Sequence, residues 1–107
     1  MSVNDELSSL SGESLLAAVT DAMVSLHLHY HGRVPATAVT HLLGDDLLVC
    51  KLGGIYTDTR RTFQAATRHK FIEVVERLSG RTVAAFISNY HVGPDLAVEL
   101  FLLERED

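Results

Sequence analysis

The chain has 107 residues, of which 47% are hydrophobic and 21% charged, a composition that suits one globular domain and leaves no room for two ordinary ones. The formal net charge of −5 disfavours nucleic-acid binding, which depends on a surplus of lysine and arginine. A single cysteine, Cys50, excludes an internal disulfide, while the polar N-terminus and the lack of a long apolar run favour a cytoplasmic protein that does not span a membrane.

Residues 1–12 are rich in serine and acidic residues and are predicted to form a flexible N-terminal tail, followed by a single domain over 13–107. The domain begins with a predicted helix. Its apolar residues recur at spacings of three or four: Leu15, Val19, Ala22, Leu26 and Tyr30. Gly32 is expected to end this helix, because glycine accepts the left-handed conformation that follows a last turn.

A β-hairpin is predicted next. The stretch "ATAVTHLLG" has β-branched residues at its centre, and "DLLVCKL" is an apolar run too short for a helix. The residues between them, Gly44-Asp45-Asp46, have turn chemistry.

A second helix is predicted after "GGIYTDTRR", with Thr57 or Asp58 as its N-cap and Gly80 as its stop. The stretches "RTVAAFIS" and "DLAVELFLLE" then predict a second hairpin across "NYHVGP". In its last strand the residues alternate between two faces. One face carries Leu96, Val98, Leu100 and Leu102, and the other carries Asp95, Ala97, Glu99, Phe101 and Leu103.

The order α-β-β-α-β-β predicts an α+β fold, a two-layer sandwich with two helices on one face of a four-stranded, largely antiparallel sheet. The strands carry more apolar residues than one small core face uses: Leu43, Leu47, Val49, Phe86, Phe101 and Leu103. Exposed apolar sheet faces are usually interfaces, so we expect a homo-oligomer, with a dimer favoured. The predicted interface residues are Phe86, Leu100, Phe101 and Leu103.

The stretch "HLHYH" raises the question of a metal site. On a helix only His27 and His31 share a face, as an i, i+4 pair, whereas His29 points away. A half-site for a transition metal such as zinc therefore remains open and needs ligands from elsewhere, for example His41, His69 or His91. The alternative is structural: protonated histidines near a helix C-terminus are favoured by the helix dipole while they remain hydrated.

Two further groups of residues have a structural and a functional interpretation. Arg61 and Arg68 on the second helix, together with Arg33, could contact an acidic partner or an anion, or could simply be solvated. Cys50 lies in the middle of a strand without an identifiable base, which favours a buried, inert thiol over a nucleophile. No catalytic residues are predicted, and no cofactor is expected apart from the metal alternative.

Several segments together resemble the MpsC-like family. They are "LHLHYHGRVP", "DDLLVCKLGG", "RRTFQAATRHKFIEVVERLSGRTVAAFIS" and "HVGPDLAVELFLLE". This family of small proteins is named for a proposed cation-translocating, membrane-potential-generating system, and related components are associated with inorganic-carbon (bicarbonate) uptake. The resemblance implies an accessory or regulatory protein with a possible membrane-protein partner, and it supplies no catalytic residues. The chain departs from the family pattern at "GGIYTDTRR", which is shorter than the corresponding segment.

The leading hypothesis is a non-enzymatic, oligomerising accessory domain. The alternative is a small-ligand or metal-binding domain that uses His27 and His31.

Overall fold

Two helices and four strands follow one another in the order α-β-β-α-β-β, as predicted. The computed structural model describes residues 10–55, 60–91 and 93–105, with the side chains of 60–67 left out. The elements are α1 (Gly12–His31), β1 (Thr37–Leu43), β2 (Leu47–Gly53), α2 (Arg60–Ser79), β3 (Val83–His91) and β4 (Leu96–Leu103). The second strand of the second hairpin is where the sequence placed it, whereas β3 runs on to His91, further than predicted.

Both helices end at the predicted glycines. Gly32 has φ 78° and its N–H bonds to the carbonyl of Leu28 at 2.9 Å. Gly80 has φ 70° and bonds to the carbonyl of Glu76 at 2.9 Å. At the start of α1, Ser11 is the N-cap residue and its side chain makes no capping hydrogen bond. The N-cap predicted for α2, at Thr57 or Asp58, lies outside the described residues.

The chain is already anchored before α1 begins. Leu10 packs against the core and its N–H bonds to the carbonyl of Leu78 at 2.8 Å, so residues 10–12 are held to the end of α2. Residues 1–9, the rest of the predicted tail, lie outside the described part.

The sheet has the order β1-β2-β4-β3, and every neighbouring pair is antiparallel. The second hairpin places β4 beside β2, so β1 and β3 are the edge strands. The registers align residues across the sheet in rows. One row is Leu42, Leu48, Phe101 and Phe86, and the next is Thr40, Cys50, Glu99 and Ser88.

The core lies between the helices and one face of this sheet. α1 buries Leu15, Val19, Met23 and His27, each four residues after the last, which is one helical stripe. The strands contribute alternate residues to the same core: Leu48, Cys50, Leu52, Phe86, Ala97, Phe101 and Leu103. The two helices therefore cover one face only, and the other face has no helix over it in the described part of the chain.

Arg81 holds the β1–β2 turn to the end of β4. Its Nε and Nη2 donate to the carbonyl of Glu104 at 3.1 and 2.9 Å, and its Nη1 donates to the carbonyl of Asp45 at 2.6 Å. The planar guanidinium suits this bridging of several backbone acceptors.

Candidate functional site

The face of the sheet that points away from the helices is called the open face. Strand alternation and the registers place these residues on it: Val39, His41, Leu43, Leu47, Val49, Lys51, Ala85, Ile87, Asn89, His91, Leu96, Val98, Leu100 and Leu102. Most of the large hydrophobic side chains exposed in the described residues lie here. On this face the most exposed hydrophobic side chains are Leu43 at 54%, Ile87 at 52% and Leu102 at 40%.

The open face divides into an apolar half and a half in which polar and apolar side chains are mixed. Nearest the β1–β2 turn, one row is Leu43, Leu47, Leu102 and Ala85, and the next is His41, Val49, Leu100 and Ile87. We call the apolar members of these two rows the apolar patch. Towards the other end the rows carry Lys51, Asn89 and His91 beside Val39, Val98 and Leu96, so that half is mixed. A contiguous apolar patch on a sheet face is typical of a protein–protein contact.

The predicted interface residues lie on both faces, which corrects the sequence analysis. Phe101 is 0% exposed, Leu103 2% and Phe86 8%, and all three pack in the core beneath the helices. Phe86 contacts Phe101 with ring centroids 4.8 Å apart. Only Leu100 lies on the open face, where it is half-buried between Val49 and Ile87.

A row of polar side chains crosses the core beneath the helices. Thr40, Cys50, Glu99 and Ser88 are cross-strand neighbours, one from each strand. Thr20 on α1 joins them, because its Oγ1 lies 2.7 Å from the Oγ1 of Thr40 while it also bonds to the carbonyl of Leu16 at 3.0 Å. We call these five residues the polar row.

Glu99 is the most costly member of the polar row to bury. Its side chain is 2% exposed, and its Oε1 has no hydrogen-bond partner among the described residues. Burial raises the pKa of this carboxyl from 4.5 to about 7, with a hydrogen bond from Ser88 acting in the opposite direction. Near neutral pH the carboxyl therefore lies close to the midpoint of its titration.

Cys50 is buried, as predicted, and lies beside Glu99. Burial raises the pKa of its thiol to about 11, a hydrogen bond with Thr40 lowers it, and the charge of Glu99 raises it. The thiol is 0% exposed and stays protonated at neutral pH, so it lacks the thiolate character that nucleophilic catalysis requires.

The histidines of α1 share a face as their spacing predicts. The rings of His27 and His31 stack with centroids 5.6 Å apart, whereas His29 is exposed and packs edge-on against Tyr30. The structural interpretation needs a correction for His27, which is not hydrated but 2% exposed and packed against Phe71. Burial and the neighbouring His31 lower the pKa of His27 to about 4, so it is neutral at pH 7.

Neutral imidazoles are the form that binds metals, and His31 also has a lowered pKa, caused by burial and then by Arg33. Within residues 10–55, 60–91 and 93–105, no group of three or more His, Cys, Asp or Glu side chains is arranged to hold a metal ion. His41 and His91 lie on the open face and His69 is exposed on α2. The two-histidine half-site remains a prediction.

The arginines proposed as partner contacts have different surroundings. Arg68 lies over the ring of Phe86, 4.9 Å from its centroid, and its Nη2 donates to the carbonyl of Phe86 at 3.3 Å. It thus serves the packing of α2 against β3. Arg33 is exposed in the loop after α1, and the side chain of Arg61 lies outside the described residues.

No helix in the described ranges is both long and apolar enough to cross a membrane. Comparison of the chain with protein-family models, with curated proteins and with solved structures found no match.

Proposed function

We propose that this domain is a non-catalytic module that associates with a second copy of itself through the apolar patch of the open face. The observation that supports this most strongly is the exposure of Leu43, Ile87 and Leu102, next to half-buried Leu47, Val49 and Leu100, on one side of a four-stranded sheet. Burying such side chains against a partner removes apolar surface from water at roughly 25 cal/mol per Å².

The size of the face indicates how strong the contact is. Four strands about 4.8 Å apart, each about seven residues long at about 3.3 Å per residue, give a flat area of roughly 450 Å². Stable dimers bury about 800 Å² per partner, so this face alone supports a weak, reversible association. We expect a dissociation constant on the order of micromolar for the face-to-face contact.

A second copy fits this face because the face complements itself. In a two-fold arrangement each apolar patch meets the other, and the mixed halves with Lys51 and Asn89 remain at the rim. The only residue of the apolar rows with a titratable side chain, among those described, is His41 at the edge.

The wider role rests on the sequence resemblance alone. On that basis we propose that the associated domain acts as an accessory or regulatory component of a cation-translocating or inorganic-carbon uptake system. Its partner there would be a membrane protein rather than a nucleic acid.

The face is tested with Leu102→Lys, which places a charge in the middle of the apolar patch. Light scattering at several protein concentrations is expected to show a lower mass for Leu102→Lys than for the wild type at equal concentration. Val34→Lys is the matched control, because Val34 is 50% exposed and lies in the loop before β1, away from the open face. Equal masses for wild type and Leu102→Lys would refute the proposal.

A further inference from the structure

The two edge strands of the sheet differ in how they are protected against pairing. On β3 a register shift lies between Val83 and Ala85, and Arg68 donates to the carbonyl of Phe86. Bulges and covering charged side chains are the devices that prevent an edge from adding another strand. β1 has a regular register throughout and contains no Asp, Glu, Lys or Arg.

The hydrogen-bond pattern shows which backbone groups β1 presents outwards. Leu103 N–H bonds to Asp46 O at 2.7 Å and Gly54 N–H bonds to Asp95 O at 3.2 Å, so the even-numbered residues of β2 bond to β4. The odd-numbered residues of β2 therefore bond to β1. It follows that Ala38, Thr40 and Leu42 direct their N–H and C=O groups away from the sheet, and in the described part of the chain no group bonds to them.

A groove of about 280 Å³ runs beside this edge, between β1 and α1. It is lined by Leu16, Ala17, Thr20 and Asp21 from the helix and by Ala38, Val39 and Thr40 from the strand. The small side chains of Ala17 and Ala38 leave room for another strand to approach, with its side chains against α1.

We propose that β1 of a second copy adds to this edge, antiparallel and centred on Thr40, so that the two sheets become continuous. In this register Thr40 faces Thr40 of the second copy and Ala38 faces Leu42, which are the residues whose backbone groups point outwards. Cross-strand threonine pairs are favourable, and β1 itself contains no Asp, Glu, Lys or Arg that would meet its own copy.

The area of the open face favours a second copy over an unrelated peptide strand. Edge pairing would place the open faces of two copies side by side. The edge-paired dimer would then present roughly 900 Å² of flat sheet surface to a second such dimer. That exceeds the roughly 800 Å² per partner of a stable interface, which one open face does not reach. A peptide strand would fill the edge without enlarging the apolar surface.

The choice of a second copy rests on the proposed function, but the edge and the open face are separate surfaces, so each contact can be tested without disturbing the other. If both hold, the wild type assembles as a tetramer, with edge-paired dimers packed through their open faces. Leu102→Lys then leaves edge-paired dimers, because it changes only the face contact.

The edge is tested with Ala38→Pro. Because the N–H of Ala38 points outwards, proline removes a hydrogen bond to a second copy and leaves the β1–β2 bonds intact. Ala38→Ser is the matched control, since serine keeps the N–H and stays small where Ala38 lines the groove. Native mass spectrometry is expected to show half the wild-type mass for Ala38→Pro and the wild-type mass for Ala38→Ser.

Hydrogen exchange of the wild type gives a second readout that needs no variant. The amides of Thr40 and Leu42 are expected to exchange slowly, at rates comparable with those of Val39 and His41, which bond to β2. Fast exchange at Thr40 and Leu42, or an unchanged mass for Ala38→Pro, would overturn the edge proposal. Slow exchange in a protein of monomeric mass would also overturn it, because a segment of the same chain would then cover the edge.

If Leu102→Lys lowers the mass and Ala38→Pro does not, the face contact stands and the edge pairing is wrong. The reverse result supports the edge and refutes the face.

Discussion

Glu99→Gln tests whether a carboxyl group is buried in the polar row, because the glutamine has the same shape and never ionises. The pKa of Glu99 is raised from 4.5 to about 7 by burial, and the group is 2% exposed. A folded-state pKa above the unfolded one means that the folded chain holds this proton more tightly. The contribution of Glu99 to the free energy of unfolding therefore falls as pH rises from about 4.5 to about 7, and is constant above that range.

The magnitude follows from the shift. Each unit of pKa difference is worth about 1.4 kcal/mol, so ionising the buried carboxyl destabilises the fold by about 3 kcal/mol at pH 8. Part of this destabilisation of the wild type is already present at pH 5. Between pH 5 and pH 8 we therefore expect the free energy of unfolding of Glu99→Gln to increase by about 2–3 kcal/mol relative to that of the wild type.

The pH profile of the wild type hides this effect, because His27 acts in the opposite direction. Its pKa falls from 6.5 in the unfolded chain to about 4 in the fold, so its contribution to stability is lost as pH falls from about 6.5 to about 4. Between about pH 4.5 and 6.5 the two slopes nearly cancel. Glu99→Gln should therefore reveal the histidine slope, and His27→Gln should reveal the glutamate slope.

The assay is urea unfolding of wild type, Glu99→Gln and His27→Gln at pH 5, 6.5 and 8, repeated at a tenfold lower protein concentration to expose any contribution from association. A stability difference between wild type and Glu99→Gln that is the same at pH 5 and pH 8 would show that the carboxyl is not buried as described. A difference that changes in favour of the wild type at pH 8 would refute the reasoning altogether.

Two further predictions concern β4 and its neighbour in β2. Phe101→Ala is expected to lower the free energy of unfolding by about 3–5 kcal/mol and Leu100→Ala by about 1 kcal/mol. The reason is that the Phe101 side chain is enclosed by the core, whereas Leu100 lies on the open face. Similar losses for the two variants in urea unfolding would mean that the two faces are wrongly assigned. Cys50, with a thiol pKa raised to about 11 and no exposure, is expected to react with a disulfide reagent at pH 8 only as fast as the protein unfolds, and labelling within seconds under native conditions would contradict its burial.

The order of elements could be predicted from the sequence because each has its own local signal. The spacing of Leu15, Val19, Ala22, Leu26 and Tyr30 predicted α1, although the residues that the helix buries are Leu15, Val19, Met23 and His27. Gly32 and Gly80 supply the left-handed residue at each helix end. The extent of β3 was less predictable, since Asn89, Tyr90 and His91 have the composition of a turn and are held in the strand by pairing with β4.

The side of the sheet that the helices cover could not be read from β4. Alternation divides the strand into two sets, both largely apolar, and the interface prediction drew on both of them, with Leu100 from one set and Phe101 and Leu103 from the other. The structure places Glu99 inside with Phe101, so the predicted interface residues on that face belong to the core. The residue that indicates the correct side is in β2. Lys51 is exposed, so Cys50, which alternates with it, and Glu99, which pairs with Cys50, lie on the inner face.

The polar row was also missed, for a different reason. Thr40, Cys50, Glu99 and Ser88 lie on four strands, and they meet only through the strand order and the registers. Neither can be derived from local patterns, because a slip of one residue would put each of these side chains on the other face.

Sedimentation equilibrium of the wild type tests most directly whether another copy of the chain covers the apolar patch of the open face. Over a concentration range from below to above micromolar, we expect a mass that rises above the 11.8 kDa of one chain, and a smaller rise for Leu102→Lys. A mass of 11.8 kDa at every concentration would contradict it.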